Sequence, residues 1–163
     1  MKELNQVLDP KTKDGRSYFL HLKEGDMPGY VIVPGSPERI QKIIANWDNV
    51  QDVAENRHYI SKRGTFHGME QGATSTGIGA LSAEICFNEL QKAGVHTCIR
   101  IGTTGGMNIK VMGGDLVIAN SAIRMEGTTR EYLPIEFPAV ADHDVTCALI
   151  QAAKNLGARW HVG

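Results

Sequence analysis

A four-residue apolar run, Tyr30-Val31-Ile32-Val33, is cut off by Pro34-Gly35, and helical spacing begins at once. A run this short, with no polar alternation, reads as a strand buried on both faces. Ser36 then Pro37 is a helix-start signal, a capping hydroxyl ahead of a proline at the first helical position. Ile40, Ile43 and Ile44 follow at helical spacing and carry the helix to about Trp47. Strand-like segments are expected at Arg57–Lys62 and Glu70–Ser75, with Arg63-Gly64 and His67-Gly68 making a hairpin or bulged ribbon between them. Gly77-Ile78-Gly79 opens a second helix with Leu81, Ile85, Phe87, Leu90 and Ala93 on one face, closed by Gly94. Thr97–Ile101 and Asp115–Ala122 read as strands and 123–142 as loop. Asp142 or Asp144 caps a third helix bearing Val145, Ala148, Leu149, Ala152, Ala153 and Leu156 on one face. Gly157 ends that helix, and Arg159–Gly163 begins a new strand.

Strands alternating with helices imply an α/β fold, a parallel or mixed sheet covered on both faces. With 163 residues, 42% of them hydrophobic, the chain can bury its core as one domain. The boundaries read as a flexible polar lead-in over 1–17 and a single domain over 18–163. A net charge of −1 supplies no field toward nucleic acid or anionic lipid. No run approaches the ~18 apolar residues of a membrane span. The start of the chain lacks the apolar core of a secretion signal, so the expected location is cytoplasmic. Cys86, Cys98 and Cys147 form no C-x-x-C pair and read as buried reduced thiols. The six histidines show no metal-ligand spacing, which argues against a metal-catalysed reaction.

In open α/β sheets ligands gather at the carboxyl ends of the strands, and Gly35 and Gly102 both sit at such ends. Gly35 lets backbone approach a ligand, and amides of the following helix start would point outward beside it. Arg39, one turn in, can reach back over the same anion with both guanidinium nitrogens. Taken alone, this motif reads more economically as an ordinary turn with a solvated arginine. Arg100, between Ile99 and Ile101, is expensive in a buried strand unless it meets an anion. That anion is either a ligand or one of the chain's own carboxylates, and the strand itself leaves both open. Gly102-Thr103-Thr104-Gly105-Gly106 adds flexible backbone and hydroxyls, yet matches neither a dinucleotide fingerprint nor a nucleotide-binding P-loop. Arg57, in the polar run Glu55–His58, reads alone as a surface charge, and His21 as a half-buried histidine at a strand edge.

Four blocks in fixed order, Val33-Pro34-Gly35-Ser36-Pro37-Glu38-Arg39, Ser75–Gly79, Arg100–Gly105 and Glu136–Asp142, resemble the nucleoside phosphorylase superfamily. Among its branches the bacterial uridine phosphorylases look most similar, from about His21 to the last residue. The resemblance implies a three-layer αβα sandwich with a central mixed sheet, of which the C-terminal part would be missing here. It implies phosphorolysis, in which uridine and phosphate give uracil and ribose 1-phosphate, with no cofactor and inorganic phosphate as co-substrate. Gly35, Arg39, Arg100 and Thr103 match phosphate-binding positions, of which Arg39, Arg100 and Thr103 carry the catalytic role. Arg57 matches a phosphate ligand supplied by a neighbouring subunit, and His21 a contact to the ribose across the same interface. The His21-to-Gly35 spacing differs from the family's by a few residues. Thr103, Thr104 and Gly105 match the nucleoside pocket. A homo-oligomer is thereby implied, dimer-based and up to a hexamer. Such enzymes often hold potassium at an interface; Ile78 and Ser82 match its site, but His58 replaces the glutamate.

Two rivals follow. Purine nucleoside phosphorylase is the nearest alternative, since base preference rests on overall likeness. A non-catalytic phosphate- or nucleoside-binding fragment is the other, since the family's base-binding segment lies beyond the residues matched here. A hydrolytic nucleosidase would have no use for three phosphate-directed arginines.

Overall fold

The computed structural model of the chain describes residues 9–163, which fall into two compact units, one running to Gly102 and one from Thr103 to Gly163. Strand β1 (Tyr30–Pro34) is the centre of the first unit. It is followed by helix α1 (Glu38–Ile44), strands β2 (Asp48–Asn56), β3 (Tyr59–Phe66) and β4 (Met69–Thr74), helix α2 (Ala80–Lys92) and strand β5 (Thr97–Ile101). The sheet order is β2-β3-β4-β1-β5, with β1 parallel to β4 and β5 and the β2-β3-β4 ribbon antiparallel.

Alternation along the strands sorts the core into two layers. Val31, Val33 and Tyr59 pack with Cys86, Leu90 and Ala93 of α2 and with Leu20 and Leu22 of the preceding loop. Ile60 and Ala73 point the other way, onto Ile40, Ile43 and Ile44 of α1. One helix therefore covers each face of the mixed sheet, the layering expected from the sequence.

Several elements differ from the sequence reading. α1 ends at Ile44, and its cap position falls on Pro37, one residue later than expected. β2 interrupts what reads as polar loop. Its register slips twice, between Asp48 and Gln51 and between Asp52 and Ala54, and Asn49 has φ 53°. These bulges break the period-2 signal. Arg57-His58 is the two-residue β2–β3 turn, so β3 starts at Tyr59. Gly64 lies inside β3, where a Cβ would meet Asp48 O at 3.0 Å and the Trp47 ring at 3.3 Å. The turn falls instead at His67-Gly68, with φ of 50° and 79°, both left-handed as a tight hairpin requires.

On α2 the buried residues are Cys86, Glu89 and Leu90, whereas Leu81 and Phe87 face outward at 63% and 37% exposure. Glu89 is buried because it accepts the amide hydrogens of Phe19 and Leu20. α2 ends as expected in a Schellman motif: Gly94 N–H donates to Gln91 O and Val95 N–H to Leu90 O, with Gly94 at φ 101°. Burial pushes the Cys86 thiol up to about 12, while Cys98 and Cys147 are exposed rather than buried. Residues 1–8 of the expected lead-in lie outside the described residues. Its remainder is tied down by a Lys11–Ser17 bridge and by the Lys92–Asp9 ion pair at 2.6 Å.

The second unit contains β6 (Leu116–Ile118), β7 (Ser121–Ala122), β8 (Ala139–Val140), helix α3 (His143–Asn155) and β9 (Trp160–Val162). The single strand expected at Asp115–Ala122 is split: β6 pairs parallel with β9, and β7 antiparallel with β8. Asp142 caps α3 by accepting from Val145 N–H at 2.9 Å, and Gly157 closes it at φ 63°. Of the expected apolar face only Ala153 is buried, and Leu156 is 79% exposed. Asp115 fastens β9 to the start of β6, accepting from Met112 N–H, from His161 and from Arg159. Among the described residues no helix is long and apolar enough to cross a membrane.

Replacing Glu89 by alanine strands two buried amides. It is expected to lower unfolding free energy by about 2 kcal/mol in a urea titration of the intact chain. A change within experimental error would mean the Phe19 and Leu20 amides find other partners.

Candidate functional site

The carboxyl ends of β1, β4 and β5 lie side by side, and the parallel pairing runs past the strands themselves. Thr76 N–H donates to Pro34 O and Gly77 N–H to Gly35 O, each at 2.9 Å. These two bonds fix the backbone where β1 gives way to α1. Gly35 has no left-handed φ, so its lack of a side chain serves space. A Cβ there would point at Gly77 O, 3.4 Å off, and at Arg100 Nη2, 4.0 Å off.

Arg100 comes from β5, paired with Val33 of β1. Its guanidinium folds back over Gly102, where an added Cβ would lie 2.6 Å from Nη1. Gly35 and Gly102 thus border one guanidinium, and Arg100 and Gly35 are brought together as the sequence suggests. The reason differs. β5 flanks the sheet with Arg100 exposed and Ile101 44% exposed, so desolvation does not force a partner on Arg100. Among the described residues no carboxylate forms an ion pair with Arg100.

Arg39 is the second residue of α1 and half-buried. The outward amides expected beside it are not all free: Arg39 N–H donates to Ser36 O and Ile40 N–H to Pro37 O. Backbone donors at this corner are therefore fewer than the sequence suggests, and the weight shifts to the guanidinium groups.

Arg57 meets the loop that carries His21. Arg57 occupies the β2–β3 turn with φ 57°, its guanidinium carbon 5.4 Å from the centre of the Phe19 ring. Asn56 donates its side-chain amide to Phe19 O at 2.8 Å, docking the turn onto the 17–22 loop. His21 lies in that loop, not in a strand edge, at φ 56°, its carbonyl accepting from Arg16 at 2.9 Å. β3 and β5 are three interstrand spacings apart, about 14 Å. Arg57 and Arg100 therefore occupy opposite flanks of the same sheet end within one chain.

Thr103, Thr104 and Gly105 open the second unit as an exposed irregular stretch, in which Thr104 Oγ1 donates to Gly105 O at 3.2 Å. Arg124 organises the 124–137 loop of that unit by donating to the carbonyls of Leu133 and Phe137 at 2.8 and 2.9 Å.

The resemblance grouped Ser82 with Ile78 and His58, and the structure brings Ser82 and His58 into contact; the hydrogen bonds to Thr76 and Tyr59 were not foreseen. The Ser82 hydroxyl donates to Thr76 O at 2.6 Å and lies 2.7 Å from His58 Nε2 and 3.1 Å from the Tyr59 hydroxyl. With its one hydrogen committed to Thr76 O and His58 Nε2 against the same oxygen, the Ser82 hydroxyl is engaged within the chain, and His58 offers no carboxylate to a potassium ion. Ile78 is 97% exposed beside it. The signal available in sequence was the Thr76-Gly77 step before a helix start, read there only as a helix opener.

Residues 30–163 match the family model described as Phosphorylase superfamily, and the chain belongs to that family. It is 45% identical over 154 residues to the uridine phosphorylase of Thermococcus kodakarensis, covering 94% of this chain and 56% of the relative. It is 38% identical to the guanosine phosphorylase of Halorubrum lacusprofundi, over 88% of this chain and 60% of the relative. The crystal structure of uridine phosphorylase from Vibrio fischeri matches with a TM-score of 0.88 at 32% identity, over 91% of this chain and 62% of that one. The α/β phosphorylase fold expected from sequence is thus the fold observed. The chain spans less than two thirds of the length of these relatives.

Gly102→Ala tests the seat of Arg100. The added methyl crowds Nη1 at 2.6 Å and displaces the guanidinium, so phosphate affinity measured by calorimetry is expected to fall about tenfold while stability shifts by about 0.5 kcal/mol or less. Unchanged affinity would mean Arg100 does not act from this position.

Proposed function

We propose that the chain supplies the phosphate-binding part of a pentosyltransferase that cleaves uridine with inorganic phosphate, giving uracil and ribose 1-phosphate. The observation that carries this reading is the Arg100 guanidinium, bordered by Gly35 and Gly102 and without an internal carboxylate partner among the described residues. The similarity to uridine phosphorylases over most of the chain supports the choice of substrate.

In the reaction the bond between the anomeric carbon and the base nitrogen breaks, and its electron pair leaves with the base. Positive charge grows on the sugar ring, and a phosphate oxygen then bonds the anomeric carbon. Phosphate held beneath the sugar both offsets that charge and attacks, so positioning and electrostatic preorganisation supply the acceleration. Arg100 and Arg39 hold the anion, with Gly35 giving it room; in the second unit Thr103 keeps the phosphate role that the resemblance assigns it. Thr104 and Gly105 line the nucleoside side. No nucleophilic side chain is required, and the metal-independent reading stays with it.

Arg57 and His21 act in a neighbouring subunit's site. Their placement on the opposite flank of the sheet end, docked together through Phe19, supports a homo-oligomer whose sites are shared. A cytoplasmic location accords with this metabolic role. The guanosine phosphorylase similarity favours a second reading in which a purine nucleoside is the substrate.

Uracil release from uridine, followed with and without phosphate, is expected to require phosphate; equal rates would indicate hydrolysis and overturn the proposal. Guanosine cleaved faster than uridine would move the assignment to the purine reading. Arg100→Ala should lower kcat/KM by about 100-fold. If Arg57 works across an interface, mixing inactive Arg57→Ala and Arg100→Ala proteins should recover about a quarter of wild-type activity, one intact site in each mixed dimer. No recovery after subunit exchange would place Arg57 in its own subunit's site.

A further inference from the structure

The His58 side chain bridges the two arms of the site. It sits in the β2–β3 turn directly after Arg57, and its Nε2 lies 2.7 Å from Ser82 Oγ on α2. Ser82 in turn donates to Thr76 O at 2.6 Å, and Thr76 and Gly77 donate their amides to Pro34 O and Gly35 O. Because the Ser82 hydrogen is committed to Thr76 O, His58 Nε2 must be the donor in this pair. The imidazole also covers Gly77, where an added Cβ would lie 2.4 Å from His58 Cδ2. The backbone of the turn is secured as well, since Ser75 Oγ donates to His58 O at 2.7 Å and receives Ile60 N–H at 2.9 Å.

We propose that His58 is a positioning residue: its Nε2–H bond to Ser82 holds the Thr76-Gly77 strand end that aligns Gly35 for phosphate, and the same bond anchors the turn presenting Arg57. The phosphate part of this inference rests on the reading of the site given above; the mechanical part does not. His58 touches no reacting atom in this scheme. It acts through three successive hydrogen bonds, each between groups that are half-buried or buried. Where the resemblance leads one to expect a cation, an N–H donor performs the bridging.

Three variants of the intact chain separate the hydrogen bond from the bulk of the ring. His58→Ala removes both. His58→Gln places an amide nitrogen where Nε2 sits, whereas His58→Asn places one only as far as Nδ1. Two quantities are read: phosphate affinity by calorimetry, and hydrogen exchange of the Thr76 and Gly77 amides by NMR. The alanine and asparagine variants are expected to exchange these two amides about tenfold faster and to bind phosphate about tenfold more weakly. The glutamine variant is expected to stay within about twofold of wild type in both. Glutamine as defective as alanine, or exchange unchanged in all three, would overturn the proposal. If the wild-type chain binds no phosphate, the site reading fails while the exchange rates still decide whether His58 holds the strand end.

Discussion

β1 is hydrogen-bonded to β4 on one side and β5 on the other, and the site's main-chain geometry is the continuation of that pairing beyond the strands. Val31 and Val33 anchor it in the α2 layer, at 1% and 0% exposure. With β1 so fixed, the bonds from Thr76 to Pro34 and from Gly77 to Gly35 leave the following glycine no freedom to drift. Arg100 inherits its position from the same strand through its pairing with Val33. An anion site of this kind needs donors held before the ligand arrives, because reorganising them afterwards would consume the interaction.

The arrangement within one chain divides its cationic groups between two flanks of a single sheet end. Arg100 stands beside Gly35, while Arg57 stands against Phe19 three strands away. Keeping like charges apart limits their mutual repulsion in the empty protein. Under the proposed function, closing them on one doubly charged ligand falls to assembly, which would tie ligand affinity to the oligomeric state. The Ser82 hydroxyl and His58 mark where the two flanks are mechanically joined through α2.

What the sequence revealed followed the strength of each local signal. Tyr30–Val33, Thr97–Ile101 and the glycines ending α2 and α3 are strong signals because burial or a left-handed residue leaves few alternatives. β2 was hidden because two bulges and a polar composition erase alternation, and its pairing is decided by β3 rather than by its own residues. The face of α2 was misjudged because Glu89 is buried to satisfy the Phe19 and Leu20 amides, a partnership seventy positions away that no periodicity reports. Gly35 with Arg100 was legible from strand ends. Ser82 was singled out only through the family resemblance; its bond to Thr76 O was not legible, since a serine in the first turn of a helix has many ordinary uses.

His21 and Arg57 each hold a left-handed backbone that glycine would adopt with less strain. Non-glycine residues in this region are destabilised by about 1 kcal/mol, and the proposed function assigns both side chains to a neighbouring subunit's site. Selection for a sturdier monomer would favour glycine at both positions and, under the proposed function, erase what each side chain offers a neighbouring subunit. Thermal tolerance and shared function are therefore set against one another at these two turns, and substitutions that harden the fold there would be the ones to distrust.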